Sequence, residues 1–278
     1  MAQERRIKLS IIVPVGPQEI EWRGLLTDLQ KNEVAGVEVI FSATTSAPAD
    51  FMRVKMLTGT GYKFDWISGN AGRGRQLNRG ASVAAGEFLW FLHSDMRLGK
   101  KVSLAQLIKS LDENADVLHF FDLKFLSDGP RLLVLNEVGV CIRSCWLGLP
   151  FGDQGFALKR DLFWQLGGFL EDAKFGEDHL FVWAARQAGV KLRSMGIPIY
   201  TSARKYERDG WLWTTCRHLW LTFRQALPGV LNQSPYFRKK DSVEQVPHEI
   251  SCNCGVRKNT RLISDKDASC SFHQQHIC

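Results

Sequence analysis

The chain has 278 residues, 45% of them hydrophobic and 23% charged, which supports a sizeable core and excludes wholesale disorder. With 36 Lys and Arg against 29 Asp and Glu, the net charge of +7 favours a phosphate-bearing ligand, an anionic membrane surface or nucleic acid, without choosing among them. The opening MAQERRIKLS has no apolar signal region, and no stretch reaches the roughly 18 apolar residues of a membrane span. The expectation is a cytoplasmic chain whose seven Cys are thiols.

Ile7 to Val15 is a continuous β-branched apolar run ended by Gly16-Pro17, as a buried parallel strand would be. Ile20, Trp22, Leu25, Leu26 and Leu29 follow at helical spacing. Val37 to Phe41 is a second strand, followed by the small polar stretch SATTSAPAD, and Tyr62 to Ile67 is a third, ending in the glycine–arginine loop SGNAGRGR. A helix is predicted from about Gln76 to Ala85, then the apolar strand Phe88 to Leu92. This alternation implies a parallel sheet with helices on both faces.

Further on, Val102 to Leu111 is amphipathic, Val117 to Leu126 reads as a strand, and Leu132 to Leu147 as mostly helical. FGDQGFALKRD and a helical patch to Leu166 come next, then a helix from Glu177 to Ala188, a strand from Val190 to Met195 and an aromatic-rich helix from about Trp211. Residues 1–238 form the expected folded domain. From about Lys239 the pattern decays into a polar, Cys-containing tail, 239–278, whose composition predicts poor order. Cys141 and Cys145, four apart, are expected to pack within their helix.

Ligands of open α/β sheets bind outside the carboxyl ends of the strands, where only the glycine–arginine loop and His93-Ser94-Asp95 concentrate charge; three further places also carry candidate groups. Gly72-Arg73-Gly74-Arg75 offers backbone N–H groups, a following helix start and two guanidinium groups to a phosphate, or is a turn with solvated arginines. His93-Ser94-Asp95 emerges directly from FLWFL, where Asp95 is either a hard oxygen ligand for a divalent cation or a turn cap. Glu177-Asp178 opens a helix, as a dipole partner or as a proton acceptor facing a pocket. Asp153-Gln154 is a turn or a substrate contact. Arg204 and Arg208 stand in a short cationic stretch that either clamps a diphosphate or is solvated.

In this order, the segments SIIVPV (Ser10 to Val15), Gly72 to Asp95, Gly152 to Phe169, Gly176 to Asp178 and Thr201 to Gly210 resemble the family 2 glycosyltransferases of GT-A fold. The likeness is closest to the bacterial subgroup described as radical-SAM/selenodomain-associated transferase 2, and it covers about Leu9 to Leu231. It implies a GT-A (Rossmann-like) α/β fold with a mixed, mainly parallel central sheet flanked by helices and a C-terminal helical segment. It also implies an inverting transfer from a nucleotide-diphosphate sugar to an acceptor hydroxyl, assisted by Mg²⁺ or Mn²⁺.

On this resemblance Asp95 would ligate the metal, with His93 in place of a first acid. Asp178 would be the base, supported by Glu177, and Asp153 and Gln154 would line the acceptor side. Pro14, Gln18, Glu19, Ser42, Arg73, Arg75, His93, Arg204 and Arg208 would contact the donor. The family's Asp-rich close of strand two is absent: Ser42-Ala43-Thr44-Thr45-Ser46 stands there, with no acid until Asp50.

Three other readings compete. A catalytically silent relative would bind the nucleotide sugar without turnover, and a nucleotidyltransferase shares the βα layout but needs a phosphate loop after strand one. A nucleic-acid binder would stripe its cations along one face, whereas here they lie in separate segments. The aromatic segment after Trp211 carries Arg217, His218 and Arg224, and is either an interfacial helix in peripheral contact with the anionic inner membrane face or a core-packing helix with an exposed basic edge.

Overall fold

The computed structural model describes residues 6–32, 34–57, 62–99, 102–129, 132–173 and 176–203. Arg204 and Arg208, the aromatic segment from Trp211 and the Cys-containing tail lie outside the described residues.

Eight strands form one sheet: β1 (Leu9–Val15), β2 (Val37–Ala43), β3 (Tyr62–Ser68), β4 (Phe88–Phe91), β5 (Arg97–Leu98), β6 (Val117–Phe125), β7 (Phe156–Lys159) and β8 (Lys191–Thr201). Their spatial order is β3-β2-β1-β4-β7-β6-β8-β5. β3, β2, β1 and β4 pair in parallel, as do β6 and β8, while β7 runs antiparallel between β4 and β6 and β5 antiparallel to β8. The sheet is mixed and mainly parallel, as the resemblance implies.

Alternation along each strand divides the core. Ile11 and Val13 of β1 and Trp90 of β4 bury on one face, against Trp22, Leu25 and Leu29 of α1 (Trp22–Gln30) and Leu107 and Leu111 of α4 (Leu104–Glu113). Ile12, Leu89 and Phe91 bury on the other, with Leu77 and Ala81 of α3 (Arg73–Val83), Phe163 of α6 (Arg160–Gln165) and Phe181 of α7 (Glu177–Gln187). Both faces are covered, which is why β1 and β4 read as unbroken apolar runs. β1 is followed by β2 on one side yet pairs with β4 on the other, so the chain reverses direction across the sheet at β1. A crevice opens at the carboxyl ends of strands on either side of such a reversal.

Several elements differ from the sequence reading. α3 begins at Arg73 rather than about Gln76, so the last three residues of the glycine–arginine loop form the helix's first turn. Gly74 is required there, because a Cβ would stand 2.9 Å from the carbonyl oxygen of Leu170. α2 (Ala49–Leu57) begins at the last two residues of the small polar stretch and was not anticipated. β7, four residues long, is too short to show a period. β8 runs six residues beyond Met195, passing Gly196 (φ 63°) and Pro198 through a bulge opposite Phe120/Asp122. A bulge accommodates the residues that normally end a strand.

Cys141 and Cys145 do not pack inside their helix; both are exposed. They lie on α5 (Leu133–Cys141) and the π-helical turn Ile142–Trp146 that continues it. The inward stripe there is Leu133, Glu137, Val140 and Ser144, with the Glu137 carboxylate accepting from the Phe125 N–H at 2.9 Å. Among the described residues no helix is long and apolar enough to cross a membrane.

Candidate active site

A cleft of about 480 Å³ lies at the carboxyl ends of β1 and β4. Pro14, Gly16, Glu19 and Glu21 line it from the β1 side, Arg73 and Gln76 from α3, and His93, Ser94 and Asp95 from beyond β4, with Ser202 at the end of β8. Gln76, missed in the sequence reading, forms part of the floor: its amide donates to the Val15 carbonyl at 2.8 Å and the Ser42 carbonyl at 2.7 Å, tying two strand ends together. α3 lies close to β1 because residue 80 is glycine; a Cβ there would stand 2.4 Å from Cγ2 of Ile12.

Arg73, at the head of α3, is the hub. Its Nε is 3.1 Å from Oε1 of the buried Glu177, and its Nη2 meets Nε2 of His93. An arginine only donates, so the neutral imidazole accepts there. Burial first, then the Arg73 cation, push the His93 pKa well below its ordinary value, against a smaller upward pull from Asp178.

Asp178 sits beside this lining. Its Oδ2 accepts from the Gly152 N–H at 2.6 Å and its Oδ1 from the His179 N–H at 2.9 Å. Burial works to raise its pKa, but the Arg73 cation, the two backbone N–H groups and His93 together outweigh it and hold the carboxyl below its usual range. Gly152 fixes the spacing: a Cβ there would lie 2.8 Å from both Arg73 Nη2 and Asp178 Oδ2. Gly176, in the left-handed region at φ 76°, turns the chain so that Glu177 and Asp178 open α7 side by side.

Three other acids are raised. Asp95 is raised by burial and, more weakly, by Glu19, while the Thr201 hydroxyl, 3.3 Å away, and Arg73 act in the opposite direction. Glu177 is raised by burial despite Arg73. Burial also raises Asp153, opposed by Arg143 and Arg73 and reinforced by Asp178 and Asp95. Arg73, in contact with both His93 and Glu177, brings the strand-four end and the head of α7 together.

Gln154 is buried next to them. Its Oε1 accepts from Ser144 Oγ at 2.7 Å, Arg143 Nη2 at 3.0 Å and the Phe151 N–H at 3.2 Å, and its amide donates to the Phe121 carbonyl at 3.1 Å. A side chain so fully engaged holds the Gly152–Gln154 turn in place. Arg143 stacks on Phe151, 3.6 Å from its ring centre, and lies 4.0 Å from Asp153. No local motif marks Arg143 or Ser144 in the sequence; they reach Gln154 from the π-helical turn that precedes it.

The fold has solved counterparts. S. aureus TarS matches with a TM-score of 0.52 at 19% identity, over 70% of this chain and 37% of that one. TarS 1–349 in complex with UDP, and the same protein in complex with UDP-GlcNAc, match at 0.53 and 21%, over 70% of this chain and 60% and 58% of theirs. The likeness shows the fold. The chain spans well under two-thirds of the length of each of these neighbours. No protein-family model matches the sequence, and no curated protein matches it.

Not every sequence-derived candidate reaches the cleft. Arg75 points to Asp172, 2.9 Å away, because it lies two positions beyond Arg73 and so on another side of the helix. Ser42 is fully buried. Glu19, by contrast, does line the cleft, where it accepts from Ser94 Oγ at 2.6 Å and the Gly16 N–H at 3.0 Å. Gln18 is exposed on the β1–α1 loop with φ 66°, the one non-glycine residue of positive φ among the described residues.

The donor set bears on a divalent cation. Among the described residues no group of three or more His, Cys, Asp or Glu side chains could hold a metal by itself. Asp95 offers one hard oxygen ligand whose charge is left poorly compensated by burial, and this suits an ion that completes its shell with phosphate oxygens and water. The Nε2 of His93 is committed to Arg73, so His93 does not fit as a second ligand.

Proposed function

We propose that the chain is a glycosyltransferase that moves a sugar from a nucleoside-diphosphate donor to an acceptor hydroxyl. The observation that carries this reading is the position of Arg73 between His93 at the strand-four end and the Glu177–Asp178 pair. One cation thereby borders both the place for a leaving diphosphate and the place for a proton acceptor. A fold neighbour crystallised with UDP and with UDP-GlcNAc supports a nucleotide sugar as the donor class.

Asp178 is the base in this reading. The acceptor O–H gives its proton to the Asp178 carboxylate as its oxygen bonds to the anomeric carbon, and the bond to the diphosphate oxygen breaks with its electron pair leaving on the nucleotide. Attack from the face opposite the leaving group gives inversion. The Arg73 cation favours the ionised form of Asp178. A diphosphate drawn to the same guanidinium offsets its charge and lets the Asp178 pKa rise towards the value useful for proton acceptance.

Glu177, buried against Arg73, orients the guanidinium, and Asp153 with Gln154 lines the acceptor side. Asp95 would hold a Mg²⁺ or Mn²⁺ ion, which when bound neutralises phosphate oxygens as negative charge develops on them.

A thermal-shift screen of nucleoside diphosphates and nucleotide sugars, with and without Mn²⁺, tests the donor class. Binding to the native state raises its melting temperature with concentration. A concentration-dependent rise with at least one nucleotide sugar, and release of its nucleoside diphosphate on addition of acceptor alcohols, is expected. Binding without any release favours the catalytically silent reading; no shift with any nucleotide contradicts the donor class itself.

A further inference from the structure

α5 and its π-helical continuation are inverted in polarity. The residues turned towards the protein include Glu137, bonded to Lys124 and the Phe125 N–H, and Ser144, bonded to Gln154. The residues turned outward are Val134, Leu135, Val138, Ile142, Trp146 and Leu147, each between 46% and 84% exposed, together with the two thiols. This outer row carries no charge over a helical length of about 20 Å. Scattered exposed apolar side chains are ordinary, but a continuous row of them marks a contact surface.

The order of chemistry along the row identifies the partner. Aliphatic side chains fill its length, and at its end stands Trp146, 84% exposed. Immediately beyond, Arg186 donates to the carbonyls of Leu147 at 2.7 Å and Gly148 at 3.1 Å, with its guanidinium 5.1 Å from the ring centre of Trp183. Aliphatic, then indole, then cation is the sequence of environments from acyl chains to headgroups at a bilayer surface. The whole chain carries +7, which complements anionic headgroups. A second copy of the chain would instead meet an identical cation-bordered ridge. We infer that the outer row of α5 and its π-helical turn is a peripheral docking surface for an anionic lipid bilayer.

The surface continues into the candidate site, since Arg143 and Ser144 of the same turn hold Gln154 from the other side. Docking would present the acceptor side of the cleft to the membrane. The lipid contact itself is independent of the proposed transfer reaction and is tested without it.

Co-sedimentation of the full chain with vesicles of equal parts phosphatidylcholine and phosphatidylglycerol measures the contact. The double variant Val138→Glu/Ile142→Glu and the single variant Trp146→Ser are compared with Val83→Glu, an exposed apolar position on α3 outside the row. Thermal melts identify any variant that fails to fold; Trp146→Ser, at the most exposed position, guards against that outcome. The wild-type chain and Val83→Glu should pellet with vesicles, while the double variant partitions at least about tenfold less and Trp146→Ser falls between. A wild type that stays in the supernatant overturns the inference, as does equal pelleting of all variants. A vesicle-free dimer abolished by the same substitutions also overturns it, in favour of self-association.

Discussion

The Nε of Arg73 stands 3.1 Å from the carboxylate of Glu177, so the first residue of α3 is joined to the first residue of α7 across the head of the cleft. Arg73→Ala strands a buried carboxylate. Breaking a fully buried pair costs about 3–5 kcal/mol, but the Arg73 side chain is 39% exposed and water screens part of the interaction, so a loss of about 1–2 kcal/mol is expected. Denaturant titration measures it. Donor binding should weaken in the same variant, and Arg73→Lys should recover more stability than affinity, because an ammonium group can pair with Glu177 without reaching His93 as well.

Gly152→Ala tests the seat of Asp178. The new methyl group would stand 2.8 Å from both Arg73 Nη2 and Asp178 Oδ2, so one of them must move. Turnover should fall by about tenfold or more, since small misplacements of reacting groups are costly. Equal turnover in this variant and the wild type would mean that the Gly152–Asp178 hydrogen bond has no part in catalysis.

Asp95→Asn should separate stability from function. Burial raises the Asp95 pKa, so its ionised form opposes folding at neutral pH, and a neutral amide removes that penalty. The variant should melt a few degrees higher than the wild type at pH 7. In calorimetric titrations it should also lose whatever part of donor affinity depends on Mn²⁺. Mn²⁺-dependent affinity equal to that of the wild type would refute the metal role.

The legible part of the fold was the part whose physics is local. β1, β2 and β4 are buried on both faces and declare themselves as apolar runs, and α1 shows its period through Trp22, Leu25 and Leu29. The start of α3 was hidden because Gly72 and Gly74 weaken any helical signal, yet Gly72 is present for its φ of 130° and Gly74 for close approach to the Leu170 carbonyl. β8 was cut short at Gly196-Ile197-Pro198, since a bulge is a property of the pairing and not of the strand. Strand ends drew attention to Asp95 and a helix start to Asp178, but a turn cap or a dipole partner reads the same way, and only the resemblance assigned them roles. Arg143 and Ser144 enter the site through side-chain contacts to Gln154, which no spacing in the sequence discloses.

pH dependence of stability isolates His93. Its folded pKa is held well below the ordinary imidazole value, so as pH falls below about 6.5 the unfolded chain takes up a proton that the folded chain refuses. Stability is therefore lost on acidification. Asp178, also depressed, adds a loss of the same sign as pH falls through its folded value, in a more acidic range. Asp95, Asp153 and Glu177, all raised, act in the opposite sense, because they protonate first in the folded state. These acids are common to the wild type and His93→Asn. Thermal melts between about pH 7 and pH 5.5 should show the wild type losing more stability than the variant; parallel curves would mean that His93 titrates normally.

The most direct test joins affinity and turnover in Asp178→Asn, measured on the nucleotide sugar that stabilises the wild type most. The substitution keeps the shape of the side chain and an oxygen for the Gly152 N–H. Donor affinity should stay within about threefold of the wild type, while turnover falls by about 10²-fold or more, as loss of a general base requires. Turnover equal to that of the wild type would contradict the account, because the carboxylate held beside Arg73 would then not be the group that accepts the acceptor's proton.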